Sequence, residues 1–148
     1  MTGPDYDDPT VEMQWCADRR AEVGRYLAGE DVDHGRIGEW PAWHVAPHVS
    51  VWAIESKVKP GWVGWWVICG DLPTDYVSAG KIKHPRQALQ TIADRWRRHC
   101  QSVRSGAQTS EMSIGIGEGT PSDLVPLLEA RATMLASWAQ DDSIWEDL

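Results

Sequence analysis

The hydrophobic positions change period along the chain. After an acidic opening from Met1 to Asp8, Val11, Trp15, Cys16, Val23, Tyr26 and Leu27 recur at close to helical spacing. Asp8-Pro9 offers an N-cap followed by proline at the first helical position, and Gly29 offers a stop, so a helix is expected between them. Asp18, Arg19, Arg20 and Glu22 fall mostly between the apolar positions and are expected to face solvent. Gly35, Gly38, Pro41 and Pro47 interrupt residues 30–47, which read as a long loop pinned to the core by Trp40 and Trp43.

The pattern then turns strand-like. Val49 to Glu55 and Trp62 to Cys69 are two apolar runs joined by a turn at Lys57–Gly61, a spacing that predicts an antiparallel hairpin. A strand with one wet face alternates polar and apolar residues. These two do not: Val51 and Ala53 point one way, Trp52 and Ile54 the other, and Val63, Val67 and Cys69 oppose Trp62, Trp66 and Ile68. Both faces need a cover, supplied by helices or by a partner.

Gly70 to Asp75 reads as a turn and Tyr76 to Ala79 as a short third strand. A second helix opens at Pro85, with Leu89, Ile92, Ala93, Trp96, Cys100 and Val103 on one stripe and Arg86, Arg95, Arg97, Arg98 and His99 around it. Residues 105–119 are loop-like, with room for an edge strand from Met112 to Ile116. A third helix begins between Ser122 and Pro126, and the acidic tail 141–148 can dock through Ile144 and Trp145. The order predicts one α+β domain over residues 1–148, flexible at 1–8: an antiparallel sheet of three or four strands around a Trp-rich hairpin, packed with about three helices. Val51, Trp52, Ile54, Trp62, Trp66, Ile68, Leu89, Ile92 and Trp96 are the expected core.

Composition adds detail. At 148 residues and 42% hydrophobic, the chain can bury a real core. It has ten tryptophans and no phenylalanine, and six of the ten lie between Trp40 and Trp66. Tryptophan is large and rigid and carries an N–H that needs a partner when buried. Such a cluster specifies one packed centre and can also offer a stacking surface. No apolar run approaches the ~20 residues that span a bilayer, and the acidic start lacks the basic and apolar regions of a signal peptide, so a cytoplasmic protein is expected. Cys16, Cys69 and Cys100 are odd in number, widely spaced and set in apolar surroundings, which reads as free buried thiols.

The net charge of −8 is unevenly distributed. Residues 1–33 carry nine acids and three bases, residues 81–104 carry seven bases and one acid, and residues 105–148 carry eight acids and one base. A basic segment between acidic ends predicts that an acidic element packs beside the basic helix. The other reading is an acidic surface that attracts a basic partner.

Asp71 and Asp75 flank Leu72-Pro73-Thr74. Two carboxylates at that spacing can share acid–base work or hold a metal; they can equally cap a turn that Pro73 bends, which needs no chemistry. Glu55 and His84 are residues that the fold can bring near them. His44 and His48 are separated by Pro47, and without C-x-x-C or H-E-x-x-H no metal site is assigned. Gly115, Gly117 and Gly119 precede a helix but lack the phosphate-loop Lys and Ser/Thr, so a connector is the simpler reading. Cys69 has no identifiable base beside it, and no nucleophile elbow is present. Arginines at 95, 97, 98 and 104 with tryptophan can bind nucleic acid, but the acidic balance argues against it.

Trp43, Ala46-Pro47, Trp52 to Glu55, Pro60-Gly61-Trp62, Trp65-Trp66 and the run Gly70-Asp71-Leu72-Pro73-Thr74-Asp75-Tyr76, extended by Pro85-Arg86 and Trp96, resemble a bacterial family of small proteins of unknown function. The likeness covers roughly the middle third of the chain and brings no catalytic residues with it.

These features point first to a non-catalytic, acidic cytoplasmic binding protein. Its most specific form is an immunity protein or inhibitor that neutralises a toxin or effector, with Asp18, Glu22, Asp141, Asp142 and Glu146 as partner contacts. The alternative is an enzyme or small-ligand binder at Asp71 and Asp75, with Glu55 nearby and Trp62, Trp65 and Tyr76 as a stacking wall. Neither reading calls for a cofactor, a metal, a membrane or nucleic acid.

Overall fold

Side chains on both faces of the central hairpin are buried, and each face has its own helical cover. A computed structural model describes residues 4–105 and 124–145. Strands β1 (Trp43–Val45), β2 (Val49–Glu55), β3 (Val63–Gly70) and β4 (Leu72–Ser78) form one antiparallel sheet in the order β1-β2-β3-β4. Three helices accompany it among the described residues: α1 (Pro9–Gly29), α2 (Pro85–Arg104) and α3 (Val125–Gln140). A short 3-10 turn at Asp142–Trp145 follows. The fold is α+β.

The helix ends follow local chemistry. Asp8 accepts the Thr10 N–H at 2.9 Å, so α1 starts where its N-cap aspartate and Pro9 place it. At the head of α2 the cap is His84, whose Nδ1 accepts the Arg86 N–H at 3.0 Å ahead of Pro85.

In the hairpin, Val51 faces Ile68, Trp52 faces Val67 and Ala53 faces Trp66. Val49, Val51, Trp66, Ile68 and Val77 share the larger core with Leu89, Ile92 and Trp96 of α2 and Leu128 and Leu135 of α3. On the other face, Trp52, Ile54, Val67 and Cys69 pack with Val23 and Leu27 of α1. The chain's own helices therefore meet the demand that the two-sided strands create. Each fully buried Leu, Ile or Val contributes ~1.5–3 kcal/mol. Inside the smaller core, Trp52 donates its indole N–H to Ser50 Oγ at 2.8 Å, and that hydroxyl donates to the Cys69 carbonyl at 3.0 Å. The one polar atom of a fully buried indole is thus satisfied.

Four details differ from the sequence-based expectation. The loop 30–47 contains a strand, β1, because the Trp43 ring, buried against the Trp145 ring at 4.6 Å, brings its backbone into register with Val51. Trp40 is only half covered and lies edge-on to His44. The expected turn from Gly70 to Asp75 is much tighter: Gly70 pairs with Leu72, only Asp71 sits at the tip, and β4 begins well before Tyr76. Pro73 is compatible with a strand here because, among the described strands, β4 is at an edge. A side chain at Gly70, where φ is 147°, would put a Cβ 2.5 Å from the His48 carbonyl oxygen.

Trp62, expected in the core, is 65% exposed. The register shifts between Ile54 and Glu55, so Glu55 faces Val63 and Gly64 is the extra residue. A Cβ at Gly64 would lie 2.8 Å from Ser56 Cα, so glycine permits the bulge. The sheet ends at this point and Trp62 lies beyond it. The other eight expected core residues are buried. The proposed strand Met112–Ile116 and the glycines at 115, 117 and 119 lie outside the described residues.

Candidate functional site

Asp71 and Asp75 do not form a pair that shares one task. Asp71 is exposed at the β3–β4 tip, where Arg131 of α3 approaches it at 3.4 Å. Asp75 is 1% exposed and lies under α2. One of its carboxylate oxygens accepts the Tyr76 N–H at 2.8 Å, and the other accepts the Trp96 indole N–H at 2.9 Å. Arg95 stands 3.6 Å away and donates to the Tyr76 carbonyl at 2.9 Å. Burial raises the Asp75 carboxyl above the ordinary carboxylate range, against the opposing pull of Trp96 and Arg95.

These contacts explain what the group does. Among the described residues β4 is an outer strand of the sheet, and an unpaired edge is a template for further strands. At Tyr76 the N–H is taken by Asp75 and the C=O by Arg95, so side chains occupy hydrogen-bonding positions that another strand would use.

The other proposed ligand residues are dispersed. Tyr76 meets Trp65 at 5.6 Å and Tyr26 at 5.9 Å, both edge-on, as part of the packing under α1. Burial, with the carboxylates of Asp75 and Glu30 nearby, holds the Tyr26 phenol well above its usual range. Glu55 sits at the opposite end of the hairpin from Asp71, where it accepts the Gly61 N–H at 3.0 Å and ties the loop shut. His84 caps α2 and abuts Trp145 at 5.5 Å.

The thiols are buried. Burial pushes Cys16 up to about 11 and Cys69 up to about 12, and raises Cys100, so each is a poor nucleophile. Among the described residues no group of three or more His, Cys, Asp or Glu side chains is arranged to hold a metal ion. His44 instead pairs with Glu12 at 3.4 Å and stacks on Trp15 at 6.2 Å.

The partner contacts expected from charge have mixed fates. Asp18 is exposed and accepts a hydrogen bond from Gln14 of its own helix. Glu22, expected to face solvent, is half-buried between Arg19 at 3.0 Å and the Thr74 hydroxyl at 3.1 Å, because α1 lies across the sheet there. Asp141 bonds Ser143, and Asp142 pairs with Arg86. Glu146 lies outside the described residues. Arg104 pairs with Glu129 of α3. Carboxylates from the C-terminal segments thus line the basic helix, as the charge blocks predicted.

Large apolar side chains remain exposed around residues 36–40. A groove of about 260 Å³ lies on one side, bounded by Ile37, Ala53, Trp62 and Val63. A second, of about 360 Å³, lies between Trp40 and Met13, Ala17 and Ala21 of α1. Glu39 borders both. Arg20 joins α1 to the ridge between them by donating to the carbonyls of Ile37 and Gly38 at 3.0 and 2.9 Å. The sequence held a signal for this surface: Met13, Ala17 and Ala21 recur every fourth residue off the apolar stripe that faces the core.

A family described as a domain of unknown function (DUF4826) matches residues 10–145, well beyond the middle third that carried the sequence resemblance. No curated protein and no solved structure matches the chain. No helix among the described residues is long and apolar enough to cross a membrane.

Proposed function

The chain belongs to the DUF4826 family, and from the geometry above we propose that it is a non-catalytic binding protein whose partner is another protein. The observation that carries this reading is the exposure of Trp40 and Trp62, 47% and 65%, each lining one of the two grooves that border Glu39. Two large indoles beside shallow grooves suit a protein surface, and Trp is among the residues most enriched at binding hot spots. Asp75 and Glu55 hold backbone and side-chain hydrogen bonds within the fold, Asp71 is exposed beside Arg131, and the thiols are buried. In its most specific form the reading is a bacterial cytoplasmic inhibitor or immunity protein. Its excess negative charge, −8, would speed encounter with a basic toxin or effector.

The test is co-expression with the products of neighbouring genes. The expected result is a co-purifying complex and protection of the host from a toxic neighbour. Both should be lost in a Trp40→Ser, Trp62→Ser double variant that keeps the wild-type melting temperature. If no neighbouring product binds or is neutralised, or if the double variant is as active as wild type, the reading fails.

A further inference from the structure

The groove bounded by Ile37, Ala53, Trp62 and Val63 is built beside an indole that the loop holds in place. The Trp62 N–H donates to the Lys59 carbonyl at 3.1 Å, and the Trp62 carbonyl accepts the Ser56 N–H at 2.7 Å. Next to it, the Gly61 N–H donates to Glu55 at 3.0 Å. Lys59 Nζ stands over the indole ring at 5.9 Å and lies outside the groove's lining. The ring is positioned before anything binds, which lowers the ordering cost of an occupant.

The charges of the lining balance, and its acceptors are engaged. Arg36 pairs with Glu39 at 3.8 Å. Glu55 accepts the backbone N–H groups of Gly61 and Arg36 at 3.0 and 3.4 Å. The Trp62 indole N–H is different: among the described residues nothing accepts it. The groove therefore offers apolar walls and an open donor. A matching occupant brings apolar bulk and a carbonyl, with no N–H of its own for the engaged carboxylates to satisfy.

We infer that this groove receives a proline-rich segment of the partner protein, held as a polyproline II helix with a proline ring against the Trp62 indole and a backbone carbonyl on its N–H. The inference rests on the binding-protein reading and adds the surface and the kind of segment recognised. Proline supplies a rigid apolar ring and has no backbone N–H. A polyproline II segment leaves its carbonyls unpaired and is already ordered when free. An α-helical segment keeps its carbonyls bonded within itself, except in its last turn, so it has little to offer the indole. A strongly basic or acidic segment gains nothing from a balanced lining. A second copy of this chain does not supply the segment either, because its prolines are scattered and the nearest, such as Pro4 and Pro9, are not clustered.

The probe is a synthetic peptide of repeated Pro-Pro-Leu, compared with a counterpart in which alanine replaces every proline. Titration into isotope-labelled protein should move the Trp62 indole and Val63 methyl resonances with the proline peptide and not with the alanine peptide. Trp62→Phe keeps an aromatic ring at this exposed position and removes the N–H. It should weaken binding at least about tenfold at an unchanged melting temperature. Equal binding of the alanine peptide, no binding of the proline peptide, or an unchanged affinity in Trp62→Phe would each overturn the inference. So would binding whose resonance shifts lie away from Trp62 and Val63. Co-expression separates this failure from that of the broader reading. A neighbouring product that wild type captures and that the proline peptide does not displace removes the groove assignment alone, whereas no capture by wild type removes the binding-protein reading itself.

Discussion

The Asp75 carboxylate accepts the Trp96 indole N–H at 2.9 Å, and this bond ties the outer strand of the sheet to the helix that covers it. The second carboxylate oxygen takes the Tyr76 N–H. Both oxygens act as acceptors, and an amide has only one. Asp75→Asn should therefore leave a buried N–H opposed by another donor and cost ~1–3 kcal/mol. Urea denaturation should detect the loss; a variant as stable as wild type would show that the paired acceptors are dispensable.

The same carboxyl makes stability depend on pH. Its folded pKa is raised, chiefly by burial, so the folded state holds this proton more tightly than the unfolded chain does. The stability contributed by Asp75 is complete below the unfolded value of ~3.9 and declines as pH rises through the raised folded value. Asp75→Asn lacks that decline, so the stability gap between wild type and variant should narrow as pH rises through this window. A gap that widens would reverse the sign of the shift.

Arg95→Ala should expose the Tyr76 carbonyl on the outer strand and leave Asp75 without a nearby cation. The expected outcome is lower stability together with concentration-dependent association, since the edge becomes available for pairing. Sedimentation velocity across a dilution series reads this directly, and a destabilised but strictly monomeric variant would deny the edge-closing role.

Two neighbouring tryptophans should behave oppositely. Trp66 is buried between the sheet and α2 and donates its indole N–H to the Ile82 carbonyl at 2.9 Å. Trp66→Ala should cost ~3–5 kcal/mol. Trp62 lies beyond the bulge, and Trp62→Ala should change stability by no more than ~0.5 kcal/mol. Thermal melts of the two variants side by side check the core boundary.

The three thiols should resist modification in the native protein. With Cys69 held near 12 and Cys16 near 11, almost no thiolate is present at mildly alkaline pH. A chromogenic disulfide reagent should titrate three thiols only after denaturation. Rapid reaction of one thiol in the folded state would mark a reactive site.

The linear pattern determined whatever depends on neighbours in sequence. The start of α1 was legible because Asp8 and Pro9 act on their own turn of helix; the helix does end at Gly29, but the residue that turns left-handed after it is Asp31, at φ 55°. So was the α2 stripe, and so was the need to cover both sides of the Val49–Cys69 hairpin, because side chains alternate strictly along a strand. The tertiary structure alone decided which helix covers which face, and it turned the spacing of Asp71 and Asp75 into two separate contacts with α3 and α2. Their spacing in sequence carries no information about Arg131, sixty residues from Asp71, or about Trp96, twenty-one residues from Asp75. Register mattered most at the bulge. The extra residue at Gly64 ends the sheet beside Glu55 and leaves Trp62 in solvent, although its composition and position read as core. The groove beside Trp40 follows the same logic, since it lies where Arg20 of α1 bonds the carbonyls of Ile37 and Gly38, seventeen and eighteen residues away.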